Sequence, residues 1–424
     1  MSDAVLECEV LVIGGGPGGI AAAVTAAEAG RQVILVDDNP HAGGQIWRNQ
    51  GHPHGPAARW LSRLAQAPRL QHLAGTRIVA PLSKNTLLAE TPAGPKQLRF
   101  HSLILATGAR ELFLPFPGWT LPGVLGAGAI QALVKSGLNV RGKRILIAGT
   151  GPLLLAVAAL LTSRGAIVPL IAEQTSAKKL RRFAFSLTRS PAKLLAAAAM
   201  RARLHRTRYA LDSYITSVVP LNQSLRATLR SGTHNRTLDC DLLACGFNLL
   251  PNTELPQLLG CALTPEGFVH VDAHLRTTRP NIYAIGEVTG IGGIDKALLE
   301  GRLAALAAVG TPCAPSAQHQ AALAFVQRLQ STFALRPELF TLAQPDTLIC
   351  RCEDVSLAAL TSSTNARDAK LQTRCGMGPC QGRTCGPILQ HLLHAEPQLP
   401  RPPLFPTQLG SLANRSAEKA DQHL

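Results

Sequence analysis

Half of the ten cysteines lie between Cys350 and Cys385, and their spacing is the strongest chemical signal in the chain. The stretch LICRCEDVS carries a C-x-C pair, Cys350 and Cys352. The stretch KLQTRCGMGPCQGRTCGP adds Cys375, Cys380 and Cys385 at five-residue steps, among Gly376, Gly378, Gly382 and Gly386. Glycines let a loop fold tightly enough for several thiolates to converge, and its backbone N–H groups can hydrogen-bond sulfur and stabilise the negative charge. In a chain without secretory features, such a group points to metal binding rather than disulfides. Four thiolates suit either zinc or an iron–sulfur cluster on softness alone, and five candidates leave one spare. The other cysteines, Cys8, Cys240, Cys245, Cys261 and Cys313, are scattered singly and read as small buried hydrophobes.

Two glycine loops form the second signal. In VLVIGGGPGGIAAAV, residues Gly14, Gly16 and Gly19 fit G-x-G-x-x-G at the junction of an apolar strand and a helix. Gly14 permits the tight turn, Gly16 lets backbone approach a pyrophosphate, and Gly19 permits close helix packing. The helix start, with Pro17 and Gly18, offers free N–H groups and a positive dipole to phosphates. Asp37 ends the following strand, about 20 residues on, where an acid can hydrogen-bond a ribose. The second loop, RILIAGTGPLLLAV, keeps Gly149 and Gly151 but has Leu154 at the third position, a bulky residue expected to push the helix from its strand. Glu173 ends its second strand, and an acid there suits a free 2′-hydroxyl better than a 2′-phosphate. NAD or another adenine nucleotide bound at this site, or a fold retained without a ligand, both fit this pattern.

The elements that must hold these loops follow βαβ grammar: apolar strand, glycine turn, Ala/Leu-rich helix, glycine stop, second strand. Its repetition predicts an α/β protein with two Rossmann-like, doubly wound domains. SLILATGAR reads as a strand leaving the first domain, NIYAIGEVTG as a return strand, and 176–211 as one long helix-prone segment. Helix AALAFVQRLQSTF leads into the cysteines, and the end, from about Gln398, reads as proline-rich, then polar and partly loose.

Composition sets outer limits. A length of 424 residues suits about two to four domains. Apolar residues make up 46% and aromatics 4%, so the core must be aliphatic. No apolar run approaches the ~20 residues of a membrane span, and MSDAVLECEV lacks a basic n-region and a cleavage site. A cytoplasmic protein is expected, with peripheral membrane association left open. The net charge of +16 owes much to 174–211, where ten Lys and Arg meet no acidic residue. A solvated helical face and a surface for an acidic partner both fit. No nucleic-acid motif accompanies the charge.

The double βαβ, the stretch Ala106–Thr107–Gly108 and IYAIGE resemble the two-dinucleotide-domain flavoproteins that include pyridine-nucleotide reductases. That resemblance covers about Glu9 to Ala308. It implies FAD on the first loop and a return strand bringing Gly286 and Glu287 to the flavin's ribityl and phosphate region. Glu287 stands where most relatives have Asp. HAGGQIWRNQ, where disulfide reductases of this architecture place a cysteine pair, has none, so a dithiol relay is not expected. The resemblance assigns Gly44 and Gln45 of this stretch to the cofactor site, with Trp47 and Arg48 either beside the flavin or, for Trp47, in the core.

The cysteine spacing resembles the two-iron domain of bacterioferritin-associated ferredoxin. GGQIWR, GPLLLAVAALL, ICRCEDVS and GMGPCQGRTCGP resemble more closely the flavoprotein subunits of heteromeric amine dehydrogenases: opine oxidase, hydrogen cyanide synthase, and dye-linked proline and hydroxyproline dehydrogenases. This resemblance implies a [2Fe–2S] cluster on Cys350, Cys352, Cys380 and Cys385, with Cys375 spare. It further implies a division into 1–117 and 274–312 for FAD, 118–273 for the second dinucleotide domain, 313–340 for a linker helix, 341–395 for an α-rich cluster module and 396–424 for a tail. The implied role is an electron-transferring subunit. A second flavoprotein subunit, with or without a small ferredoxin-like one, would oxidise the C–N bond of proline, hydroxyproline, an opine or glycine. A self-contained NADH-dependent reductase and a redox scaffold without turnover are the competing readings. No Ser–His–Asp set and no catalytic acid or base can be named among the residues. An electron-transfer role needs none.

Overall fold

The computed structural model describes residues 5–47, 55–189, 191–311, 313–393 and 399–413. Contacts divide the chain into two compact units. The first comprises Met1–Arg110, Pro251–Val326 and Leu399–Leu424; the second comprises Glu111–Leu250 and Gln327–Gln398. The second unit contains both the second glycine loop and the cysteine segment, and the stretch Pro251–Val326 falls in the first.

In the first unit, strand Val5–Ile13 pairs in parallel with Val33–Val36 on one side and Gly94–Leu105 on the other. The sheet continues outward to Leu70–Leu73 at one edge and, antiparallel, to Thr86–Thr91 and Arg77–Ser83 at the other. The return strand Ile282–Ala284 joins Leu103–Leu105 in parallel. Val33–Val36 is buried along its whole length, as a parallel strand covered on both faces must be. Helices Pro17–Glu28 and Ile294–Ala308 pack together through small residues: a side chain on Gly301 would overlap the Gly18 carbonyl oxygen.

The tail is less free than its composition suggests. Leu404 is 3% exposed within the core of the first unit, and its N–H bonds to Val79 O at 2.9 Å. Glu90 Oε1 accepts from Thr407 Oγ1, Gln408 N and Ser411 Oγ. A prolyl segment needs no strand partner to be fixed when one leucine reaches the core.

The second unit has a five-stranded parallel sheet in the order Arg208–Ala210, Leu170–Glu173, Ile145–Gly149, Leu242–Gly246, Val124–Gly126. A three-stranded antiparallel sheet, Ser213–Leu221, Ser224–Ser231 and His234–Cys240, follows. The basic stretch is two helices and a strand, not one helix: Ala177–Ser186, Pro191–Arg203 and Arg208–Ala210. Pro191 lacks an N–H and cannot continue a helix, but it starts one well. Lys178, Lys179, Arg181 and Arg182 are exposed. The cysteine segment forms a hairpin, Leu348–Cys350 with Val355–Ser356, and helices Ala366–Thr373 and Gly386–Leu393. Among the described residues, no helix is long and apolar enough to cross a membrane.

Candidate functional site

The first glycine loop is shaped by what it cannot contain. Gly14 has φ +109, and a Cβ there would overlap Ala106 O; a Cβ on Gly19 would overlap Gly14 O. Gly16 differs. Its φ of −74 suits any residue, and an added Cβ would meet only Gly44 Cα at 4.0 Å. The space over Gly16 is thus left open by the protein, as pyrophosphate approach requires. Helix Pro17–Glu28 begins there with proline in its first turn, no side-chain cap and no acid of its own in that turn, so its first N–H groups are not capped by its own side chains. Gly44 packs on Gly16, beside Gly43, whose N–H bonds to Gly15 O at 2.7 Å. These residues fit an anionic dinucleotide.

Asp37, 5% exposed, turns its carboxylate toward the loop. One oxygen takes the Gly15 N–H, and the other takes the Asn39 N–H and side-chain amide. With three donors among the described residues, a carboxylate of about four lone-pair sites retains one for a ribose. The Ala106–Thr107–Gly108 turn is fixed by a residue that sequence reasoning missed. Asn252 donates its side-chain amide to Thr107 O, accepts Thr107 Oγ1 on its carbonyl, and donates its N–H to Gly108 O. No sequence spacing announces it.

At the return strand, Glu287 accepts the Gly293 N–H at 2.8 Å, and burial pushes its carboxyl up. Beneath Gly286 lies a second feature that sequence reasoning missed. Lys296 Nζ donates to Gly286 O at 2.7 Å, Thr289 Oγ1 at 2.7 Å and Glu300 Oε2 at 2.8 Å. Glu300 also takes the Gly286 N–H and faces His319 Nε2 at 3.3 Å. Lys296 and Glu300 are each 1% exposed. The signal was available: KALLE sets a Lys and a Glu four apart in a helix otherwise rich in small apolar residues. Burial raises the Glu300 carboxyl, but Lys296, His319 and the Gly286 N–H outweigh it and hold it below the ordinary range. The Glu300 interaction therefore contributes stability above the ordinary carboxylate pKa, and that stability is lost as pH falls through the lowered value. Lys296→Met leaves a buried carboxylate without its cation. The expected loss is about 3–5 kcal/mol, read from urea unfolding, with this acid-side slope gone.

Trp47, 4% exposed, packs with Ile20, Val24 and Trp60 in the core. Gln45 is exposed in the short helix Gly44–Trp47, and Arg48 lies outside the described residues.

The second loop has the same path but a different lining. Leu154 is fully buried without displacing its helix, because Gly246 on the neighbouring strand leaves the space; a Cβ there would come within 3.0 Å of Leu154 Cδ2. Glu173 lies at the end of strand Leu170–Glu173. It is 0% exposed and accepts from Thr150 Oγ1, Thr175 N, Gly151 N and Tyr209 OH. Burial pushes this carboxyl up, against the backbone N–H groups of Thr175 and Gly151.

In the cysteine segment, the thiols of Cys350, Cys375 and Cys385 lie within 4.8 Å of one another and are all buried. Cys375, read as spare, is thus part of the gathering. Cys352, exposed, and Cys380 pair through their thiols. Burial raises Cys380, but the Thr384 N–H, the Cys352 thiol and the Gly382 N–H together hold it below the ordinary thiol range. That is the anion-stabilising backbone expected of the glycine-rich loop. A Cβ on Gly378 would overlap Cys352 Cβ, so this glycine is what lets the two arms approach. The donor set, all sulfur and largely buried, suits a soft thiolate-bound metal. Of the scattered cysteines, Cys8, Cys240, Cys245 and Cys261 are buried and Cys313 is exposed. Burial pushes the Cys8 thiol up to about 12 and Cys240 to about 11, as for inert core residues.

The pyridine nucleotide-disulphide oxidoreductase family profile matches residues 8–320. The A subunit of opine oxidase from Rhizobium meliloti is 31% identical over 96% of this chain and 98% of its own length. The HcnB subunit of hydrogen cyanide synthase from Pseudomonas aeruginosa is 29% identical over 88% of this chain and 90% of its own. Among solved structures, L-proline dehydrogenase from P. horikoshii superposes with a TM-score of 0.67 over 96% of this chain and 79% of that one, at 18% identity, which shows a shared fold. With its mixed α/β Rossmann-like sheets, its glycine loops and these full-length relatives, the chain belongs to the pyridine nucleotide-disulphide oxidoreductase family and groups there with the opine oxidase A subunits.

Proposed function

We propose that this chain is the electron-transfer subunit of a heteromeric dehydrogenase or oxidase of amino acids or secondary amines. It receives electrons from a second flavoprotein subunit and delivers them to a respiratory acceptor. The observation that carries this reading is the end-to-end match to a protein named as one subunit of an oxidase. The substrate class is proline, hydroxyproline, an opine or glycine.

The first glycine loop holds FAD. The N-terminus of helix Pro17–Glu28 binds the pyrophosphate over Gly16, the open lone pair of Asp37 takes a ribose hydroxyl, and Thr107 and Glu287 lie on the elements that close the site. Cys350, Cys352, Cys380 and Cys385 would hold a [2Fe–2S] cluster, leaving Cys375, whose thiol lies within 4.8 Å of those of Cys350 and Cys385, as the non-ligand. When bound, the two groups supply the redox capacity that amino-acid side chains lack. The exposed cations Lys178, Lys179, Arg181 and Arg182 suit an acidic partner face, which would speed encounter.

The test is reconstitution. The purified chain alone oxidises proline-like substrates negligibly, and co-expression with its partner subunit raises the rate by at least about 100-fold, or about 2.7 kcal/mol in barrier terms. Normal turnover by the isolated chain would refute the subunit reading. Rapid dye reduction with NADH and no partner would establish a self-contained reductase instead.

A further inference from the structure

The geometry points to a second dinucleotide fold that binds a segment of its own chain in place of a nucleotide, and thereby serves as the socket for the cysteine module. The inference concerns the second unit alone and holds whatever substrate the partner oxidises.

The two glycine loops align residue by residue, Gly14–Gly15–Gly16–Pro17 with Gly149–Thr150–Gly151–Pro152, so their differences can be read directly. Gly16 has φ −74, whereas Gly151 has φ +90. Asp37 takes the N–H of Gly15. Glu173, one methylene longer, reaches the N–H of Gly151, the group that would otherwise face a phosphate. Glu173 has four donors on about four lone-pair sites, so it has none to offer a ribose.

The space above is filled. Phe333 lies over Gly151, with its ring carbon 3.8 Å from where a Cβ would stand, and it packs edge-on against Phe183 at 5.2 Å. It is 5% exposed, and Gly151 is buried beneath it. Gln174 follows the acid, at the position next to an adenosine ribose in this fold. Its amide nitrogen donates to Thr150 Oγ1 at 3.2 Å and to Ala334 O at 3.0 Å, while its oxygen accepts the Arg336 N–H at 3.0 Å. Arg336 bonds to Asp212 at 2.6 Å and lies 4.7 Å over the Tyr214 ring. Residues 333–336 thus occupy both the phosphate and the ribose ends of the site.

The same segment leads straight to the cysteines. Leu339, fully buried, joins the core around Phe116 and Phe247, and Trp119 Nε1 donates to Leu348 O, two residues before Cys350. The fold that a pyridine nucleotide would use therefore positions the thiolate loops. A dinucleotide would enter by displacing Phe333 and breaking the two bonds of Gln174 to Ala334 and Arg336, which would loosen the mount.

The flavin-loaded full chain is titrated with NADH and NAD⁺, following flavin absorbance, equilibrium dialysis and amide exchange. No saturable binding up to about 1 mM and no protection of 149–154 are expected. Saturable binding with a footprint on 149–154 or 173–175 overturns the inference. In a second arm, Phe333→Ala with Arg336→Ala should raise amide exchange at 149–154 and in Leu348–Cys350 by at least about tenfold. Exchange in strand Val5–Ile13 should not change. If the double variant does not fold, Gln174→Ala removes the tether alone and should raise exchange at the same two sites by a smaller factor. Unchanged exchange in either folded variant refutes the socket role.

Discussion

Valine in place of Gly16 is expected to strip FAD from this chain while leaving the fold intact. The flavin content should fall from about one per chain to below about a tenth, because a side chain there occupies the pyrophosphate's approach. What makes the substitution informative is the protein's own geometry. Gly16 has a φ any residue adopts, and its nearest neighbour to an added Cβ is Gly44 Cα at 4.0 Å. Circular dichroism should therefore stay close to that of the parent, and the urea midpoint close to that of the flavin-free parent. Gly19→Ala is the contrasting variant: its Cβ overlaps Gly14 O, so it should lose stability and flavin together. A Gly16→Val protein that purifies with its full flavin would place the cofactor elsewhere.

The second large effect lies in the cysteine segment. Purified anaerobically, the chain should carry about two iron and two acid-labile sulfide. Alanine at Cys350, Cys352, Cys380 or Cys385 should reduce both to near zero. Cys375→Ala should retain the cluster with some loss of stability, since it removes a fully enclosed side chain. Geometry makes this a sharp choice, because Cys375 lies within 4.8 Å of two proposed ligands whereas Cys352 is exposed. If Cys375→Ala abolishes iron and Cys352→Ala keeps it, the ligand set is the inner three with Cys380. Zinc without sulfide would leave a structural knot and remove the redox role of the segment.

Much of the site was legible because local rules govern it. A glycine that must turn, a glycine that must let a phosphate near and an acid at a strand end all follow from backbone sterics and short-range hydrogen bonding. Gly14, Gly16, Gly19 and Asp37 stand where their spacing puts them. Density and glycine content pointed to the cysteine segment, but the thiols that gather are Cys350, Cys375 and Cys385, including the one read as spare. Asn252 and the Lys296–Glu300–His319 group were not found, because their partners are distant in sequence or their meaning depends on complete burial.

The sequence by itself determined the two βαβ halves, the open cradle at Gly16 and the thiolate-rich segment, since each depends on residues within one turn or one crossover. Only the tertiary structure decided which thiols meet and which side chains line the second glycine loop. Gly149, Gly151 and Glu173 read as a nucleotide site on spacing alone. Glu173 turns inward because its extra methylene reaches the Gly151 N–H, and Phe333, 182 residues later, closes over it. Leu154 fits because a strand that is remote in sequence presents Gly246 opposite it. A side chain's reach and the contents of the space it enters are set by residues that fold beside it, and a linear pattern holds no record of them.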